Sequence, residues 1–252
     1  MDNKSNTDSS LNNPGSNLYE KKAFDKGYDV NEVSGAGRTF LSNVFSWMFL
    51  GLMMSGVVAL AVATNPNLFN AIFQNRPLSM VVIFSPLAFV LLMSFGYNKL
   101  SFPVLTTLFL VYAAIMGLSL SFIFLIYTGS SIALTFGIAS VTFGIMAVTG
   151  YRTSTDLSNF GSILRMLLIG LVIAMLVNLF LHSAALDYLM SFVGVAVFTG
   201  LTAYDVQRLK LMAAEGTSPE EGRKLAVMGA LKLYLDFVNL FLFLLRLFGR
   251  RR

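Results

Sequence analysis

The sequence has no cysteine among its 252 residues. That excludes disulfides, thiolate nucleophiles and cysteine-held metals, and leaves the redox state of its compartment without a marker. There is one histidine, His182, and no His/Cys/Asp/Glu cluster around it, so a transition-metal site lacks its usual ligands. A serine–histidine catalytic pair would have to use that single imidazole, which falls at a bend between apolar runs and far from any GxSxG-like serine. Charge is scarce as well. Asp, Glu, Lys and Arg make up 12% of the chain while 56% is hydrophobic, against roughly 25% charged residues in soluble domains. A soluble globular protein is therefore excluded in favour of an integral membrane protein. No basic stripe interleaved with stacking aromatics is present, so nucleic acid is not an expected partner. The net charge of +5 is explained more simply by the bias of basic residues toward the cytoplasmic side of a membrane.

Residues 1–37 are rich in Asn, Ser, Asp, Lys and Gly and carry too little apolar surface to offset the entropy of ordering; they are expected to form a flexible polar tail ahead of a membrane domain at 38–252. No apolar run follows a short basic start, so a signal peptide is not expected. Seven hydrophobic runs follow, at about 44–64, 78–97, 104–127, 132–150, 163–181, 185–205 and 225–248. Each is close to the ~20 residues that a helix needs to cross the hydrocarbon core. A transmembrane barrel would show alternating strands of about ten residues instead, so the fold class is an all-α seven-transmembrane bundle. Prolines sit where helices must stop or start: Asn65-Pro66-Asn67, Arg76-Pro77 and Ser101-Phe102-Pro103. Gly129-Ser130-Ser131 is expected to turn the chain between the third and fourth spans. Ser218-Pro219-Glu220-Glu221 has the form of a helix start with a capping box. Gly137, Gly144, Gly170, Gly194 and Gly200 are expected to let helices approach closely.

With seven alternating spans, Lys21, Lys22, Lys26, Arg38, Lys99, Arg152, Arg165, Arg208, Lys210, Arg223 and Lys224 fall on the side of the N-terminus, and Arg76, Arg246, Arg250, Arg251 and Arg252 on the other. The bias of eleven to five puts the N-terminus in the cytoplasm. Four of the five exceptions lie at the C-terminus, which also fits a polar seventh segment that re-enters the membrane. A run of 24 residues from Leu225 to Phe248 favours a full crossing.

That last run carries Lys232, Asp236, Asn239 and Arg246. An aspartate at a bilayer centre costs at least roughly 2.5–3.5 kcal/mol on insertion scales, so this helix is expected to face protein or water. Asp205, near the end of the sixth span, and Asp236 are 31 residues apart with the 218–221 turn about half way between them. Two antiparallel helices about that turn bring both carboxylates to similar depth, within about one helical turn, roughly 5 Å. Carboxylates in contact in a poorly solvated site share a proton, which makes such a pair a pH-responsive element, and their oxygens suit calcium when the proton leaves. The alternative is that each aspartate satisfies its own neighbourhood. Asn239, on the same helix face, is a candidate partner of the pair, and Lys232, one turn from Asp236, is a competing ion-pair partner. Asp156 is expected to serve a helix start, Asn178 to bond a neighbouring helix, and Arg246 to reach the far interface. Tyr204-Asp205 matches half of the setting of an intramembrane aspartyl protease, but Asp236 lies in YLDF, and no catalytic residue is assigned.

TGLTAYDVQRLK, LKLYLDFVNLFLFLLRLFG and STDLSNFG at 154–161 together resemble the transmembrane Bax inhibitor motif family, the bacterial Bax inhibitor/YccA-like membrane proteins. The resemblance runs over roughly 40–250 and is densest in the last two spans. It implies six helices around a central seventh, a proton-gated calcium leak in a bacterial inner membrane, and a gating pair that falls on Asp205 and Asp236, which would also be the tentative calcium ligands. It further implies a basic latch at the end of the second helix, where this chain has Lys99. Lysine offers a point charge and not the fork of an arginine. Some members carry a glutamate within the second helix, and FSPLAFVLLMSFG has none. The expected partners are the bilayer, calcium and protons, with no cofactor; the alternative is a non-transporting modulator of a membrane protease or of a cell-death or stress complex.

Overall fold

The computed structural model describes residues 30–213 and 218–252. Most of the expected tail, 1–29, lies outside those residues. Its last part is not a tail, because the first helix begins at Val30. In chain order the helices are α1 (Val30–Ala63), α2 (Pro66–Phe73), α3 (Arg76–Gly96), α4 (Phe102–Leu120), α5 (Ile123–Ile126), α6 (Gly129–Arg152), α7 (Ser158–Leu181), α8 (Ala184–Ala213) and α9 (Pro219–Phe248). Among the described residues, seven of these, α2 and α5 aside, are long and apolar enough to cross a membrane. The chain is thus a seven-helix membrane bundle.

The caps follow the sequence. Asn65 and Asn75 each accept a hydrogen bond from the backbone three residues on, at Leu68 and Leu78, with Pro66 and Pro77 in the first turn where a missing N–H costs nothing. At the other end of the bundle the helices run past the hydrocarbon. α8 continues to Ala213 and α9 starts at Pro219, because polar residues there keep helical geometry beyond the depth that hydropathy registers.

One expected turn is corrected. Gly129-Ser130-Ser131 is the first turn of α6, and the break falls earlier, around the single-turn α5. The C-terminus explains this. Thr128 N–H donates to the Arg250 carbonyl at 3.1 Å, Arg252 N–H to the Ile126 carbonyl at 2.9 Å, and Arg250 N–H to Ser131 Oγ at 2.8 Å. These bonds hold Tyr127 and Thr128 extended between α5 and α6 and pin the C-terminal arginines beside them. They also put the C-terminus at the opposite end of the bundle from the start of α1, since α9, 30 residues long and so about 45 Å, crosses completely and does not re-enter.

α9 is the centre: 72% of its most apolar stretch is buried, against 17–39% for the other six spans. It packs on α8, α1, α6 and α4, while α3 rests chiefly on α4 and α7 on α8. The enclosure by six helices is therefore close on four sides and looser on the flank of α3. Large apolar side chains such as Phe84, Phe95, Leu134 and Phe180 stand exposed around the outside, where a bilayer supplies the apolar solvent.

Of the five glycines expected at close contacts, two are there. A Cβ on Gly194 would strike the ring of Phe243, and one on Gly200 the side chain of Leu164; nothing lies near Gly137, Gly144 or Gly170, which face outward. The tightest backbone approach between helices is instead at Gly150, against the carbonyl of Ala203, where α6 meets α8.

Candidate functional site

α8 and α9 form an antiparallel pair whose register is fixed by small residues. Gly194 receives the Phe243 ring, which also stacks on Phe198 at 5.9 Å, and Gly229 receives Leu209. That register brings Asp205 of α8 against the middle of α9. Lys232 Nζ donates to Asp205 Oδ1 at 2.6 Å, with the Asp205 side chain fully buried and that of Lys232 41% exposed. The Asp236 carboxyl, one turn along α9 and buried, lies within hydrogen-bonding reach of Asp205. The structure thus brings together three residues singled out in the sequence: Asp205, Asp236 and Lys232. The second oxygen of each carboxyl, Oδ2, is buried with no hydrogen-bond donor among the described residues, an arrangement that is costly for an ionised group.

Two expected partners stand elsewhere. Lys99 lies exposed in the turn after α3 and forms no ion pair among the described residues. The end of α3 is held by its neighbour: the Tyr97 hydroxyl donates to Glu221, and Lys224 lies over the Tyr97 ring at 4.8 Å. Burial and the Glu221 carboxylate push the Tyr97 phenol above its ordinary value. Asn239 donates to the Leu235 carbonyl of its own helix at 2.8 Å and so does not bond to the pair. Lys232, and not Lys99, is the cation on Asp205, because a lysine one turn from Asp236 is already on the facing surface of α9, whereas Lys99 begins beyond the end of α3.

Two residues to which the sequence assigned no place in the site complete the cluster. Tyr204, beside Asp205, is buried with its ring between two cations: Arg165 of α7 at 5.3 Å and Lys232 at 5.6 Å from the centroid, within cation–π range. Arg165 also donates to the Tyr204 hydroxyl at 2.8 Å, and Gly161, one turn earlier on α7, leaves room for the ring. Arg165 carries no local signal beyond its charge, which topology alone accounts for. Tyr204 was visible only as the neighbour of an intramembrane acid.

STDLSNFG is a strut. Gln207 accepts from Leu157 N–H at 2.9 Å and donates to the Thr155 carbonyl at 2.8 Å, and Lys210 donates to the Tyr151 carbonyl at 2.8 Å. Asp156 accepts from Ser158 N–H at 2.9 Å at the start of α7, the role expected for it. Together these bonds fasten the α6–α7 connection to α8 just beyond Asp205. At the start of α9, Ser218 Oγ accepts from Glu221 N–H at 3.3 Å, which is half of the expected capping box; the Glu221 side chain is committed to Tyr97 instead.

At the far end, Asn178 donates to Asp187 at 2.9 Å and accepts from Ser183 N–H at 3.0 Å, so it ties the α7–α8 bend to the first turn of α8. Arg246 stands 3.9 Å from Asp187 there. His182 occupies the bend itself with a left-handed φ of 51°.

The chemistry of this donor set is that of two carboxyls and an ammonium. Calcium takes six to eight oxygen ligands, and among the described residues no group of three or more His, Cys, Asp or Glu side chains converges. The two carboxyls by themselves supply too few oxygens for a resident calcium ion.

Comparison with known proteins agrees with the fold. The family described as "Inhibitor of apoptosis-promoting Bax1" matches residues 37–252. The chain is similar to the inner membrane protein YbhL of Escherichia coli strain K12, 46% identical over 217 residues that cover 85% of this chain and 93% of that one. It is also similar to a protein of Borreliella burgdorferi, 47% identical over 214 residues (84% and 92% covered), and to RP147 of Rickettsia prowazekii, 42% identical over 233 residues (92% and 94%). With a match across nearly all of the described bundle and relatives aligned over almost their whole length, this seven-helix membrane protein belongs to the Bax inhibitor-1 family.

Proposed function

We propose that this protein is a pH-sensitive cation leak of the bacterial inner membrane, with calcium as its main cargo and the Asp205/Asp236 pair as its gate. The observation that carries this reading is the pair itself: two buried carboxyls in hydrogen-bonding reach, each with an acceptor oxygen lacking a donor, on the two helices at the centre of the bundle. A proton held between the carboxyls supplies the missing donor and locks α8 to α9. Its loss leaves two like charges in a poorly solvated site, which repel and favour a cation between them. Lys232 is the internal counter-charge that such a cation has to displace, and its exposed stem gives it somewhere to go. The charged groups around the pair are Lys232, Arg208 and, behind Tyr204, Arg165. Lys/Arg bias places the N-terminus in the cytoplasm in this reading, and the C-terminal arginines on the far side.

Calcium flux into dye-loaded proteoliposomes across a pH series tests the proposal. Asp205→Asn and Asp236→Asn should each flatten the pH profile; unchanged flux and unchanged pH response in both variants would refute it. Flux from the purified protein alone also separates this reading from that of a modulator of a membrane protease or a cell-death or stress complex, which conducts nothing.

A further inference from the structure

We propose that the groove beside the aspartate pair binds one anionic phospholipid drawn from the bilayer, its headgroup on Arg208 and Lys232 and an acyl chain along α9. Although α9 is the most buried helix, Leu225, Met228, Lys232 and Leu235 recur on one face at helical spacing and are each only half-buried. That stripe lines a cavity of about 350 Å³ with Val90 and Ser94 of α3 on its other wall and Asp205, Arg208 and Leu209 of α8 beside it. The volume falls within the roughly 300–1,000 Å³ of small-ligand sites. α3 packs chiefly on α4 and is tied to α9 through Tyr97 and Glu221, so the groove is bounded at that end and open along the looser flank of the bundle, toward lipid.

The charges in this groove select the ligand. Two cations line it against one acid, and that acid is already bonded to Lys232. Arg208 is exposed and forms no ion pair among the described residues. It lies one turn beyond Asp205 toward the end of α8, where basic side chains meet headgroups. Apolar walls with two cations set among them, within a membrane-spanning bundle, fit a chain with an anionic head, and a neutral headgroup would leave the excess positive charge unanswered. A phosphate seated on Arg208 and Lys232 competes with Asp205 for the lysine ammonium. The lipid is therefore also an effector of the aspartate pair, a consequence that rests on the proposed gating function.

The absence of cysteine from the chain makes the test clean. The full chain with Met228→Cys carries a fluorophore in the groove; Leu176→Cys carries it on the exposed outer face of α7 as a control. Each is placed in nanodiscs in which either brominated phosphatidylglycerol or brominated phosphatidylcholine is the quencher, at equal fraction. The expected result is several-fold stronger quenching by phosphatidylglycerol at position 228 and no preference at 176. Arg208→Gln should abolish the preference and Arg208→Lys retain most of it. Equal quenching by the two lipids at 228, or a preference that survives Arg208→Gln, overturns the site, including the case in which a second copy of the chain or another protein fills the groove. Quenching does not depend on transport, so the site stands or falls apart from the leak. Calcium flux in the same two lipids reads the coupling: phosphatidylglycerol should shift the pH profile of the wild type and not of Arg208→Gln, and an unshifted profile beside preferential quenching overturns the effector role alone.

Discussion

Lys232→Met removes an ammonium while keeping an apolar stem, and it tests the centre of the site most directly. In the wild type that ammonium lies 2.6 Å from Asp205, whose side chain is fully buried while that of Lys232 is 41% exposed. The asymmetry decides which loss hurts more. Without the lysine, a buried carboxyl is left facing a second carboxyl; without Asp205, the lysine can turn toward water or headgroups. Removing one partner of a fully buried ion pair costs about 3–5 kcal/mol. Here one partner is partly exposed and the carboxyl can take up a proton rather than stay charged, so the expected cost of Lys232→Met is about 2 kcal/mol. Asp205→Asn, which also relieves the contact with Asp236, should cost about 1 kcal/mol. The double variant removes both charges and should be less destabilised than Lys232→Met alone, a coupling of about 1–2 kcal/mol. Reversible unfolding of the four proteins in detergent micelles measures the cycle. Additive effects, or an Asp205→Asn penalty larger than that of Lys232→Met, would show that this ion pair does not organise the site.

The remaining expectations are structural. Tyr97→Phe removes the hydroxyl that donates to Glu221 and should cost about 1 kcal/mol near neutral pH. Because the phenol is held above its ordinary value of about 10, its contribution is complete below that pH and fades only as the pH rises through the raised folded value; Tyr97→Phe should lack this alkaline loss in an unfolding series against pH. Gly150→Ala drives a Cβ into the Ala203 carbonyl and should cost about 1–3 kcal/mol by forcing α6 from α8. Gly170→Ala, with open space around it, should be neutral or gain up to about 1 kcal/mol from helix propensity. Melting temperatures of that pair of variants should therefore move in opposite directions or differ by several degrees, and equal shifts would contradict the packing described for α6 and α8.

Three helix ends at the far side were legible to within a residue, 64, 181 and 248 against Ala63, Leu181 and Phe248, but the break between the third and fourth spans was not: the ends expected at 127 and 132 compare with Leu120 and Gly129. At the other side the observed helices extend α8 to Ala213 and α9 back to Pro219. Hydropathy measures the hydrocarbon slab, and a helix that continues into the polar layer leaves no mark on it. The depth of Asp205 changed accordingly, since it lies two turns inside α8 and not at its end. The outward positions of Gly170, Gly137 and Gly144 were illegible for a different reason: a glycine in an apolar run looks the same whether lipid or another helix faces it.

The sequence by itself determined that seven helices cross a membrane, because lipid demands internally satisfied backbone of a set length. It also put Asp205 and Asp236 at similar depth, because they stand about equally far along the chain from the 218–221 turn; whether they meet was left open. Only the tertiary structure decided the partners: Lys232 and not Lys99 on Asp205, Arg165 and Lys232 on the Tyr204 ring, Gln207 on the 155–157 backbone, and a half-covered stripe of α9 open beside α3. Periodicity tells which residues share a face of one helix. Which neighbour that face meets depends on the packing and rotation of helices distant in the chain, and these are set by contacts between side chains that no single segment contains.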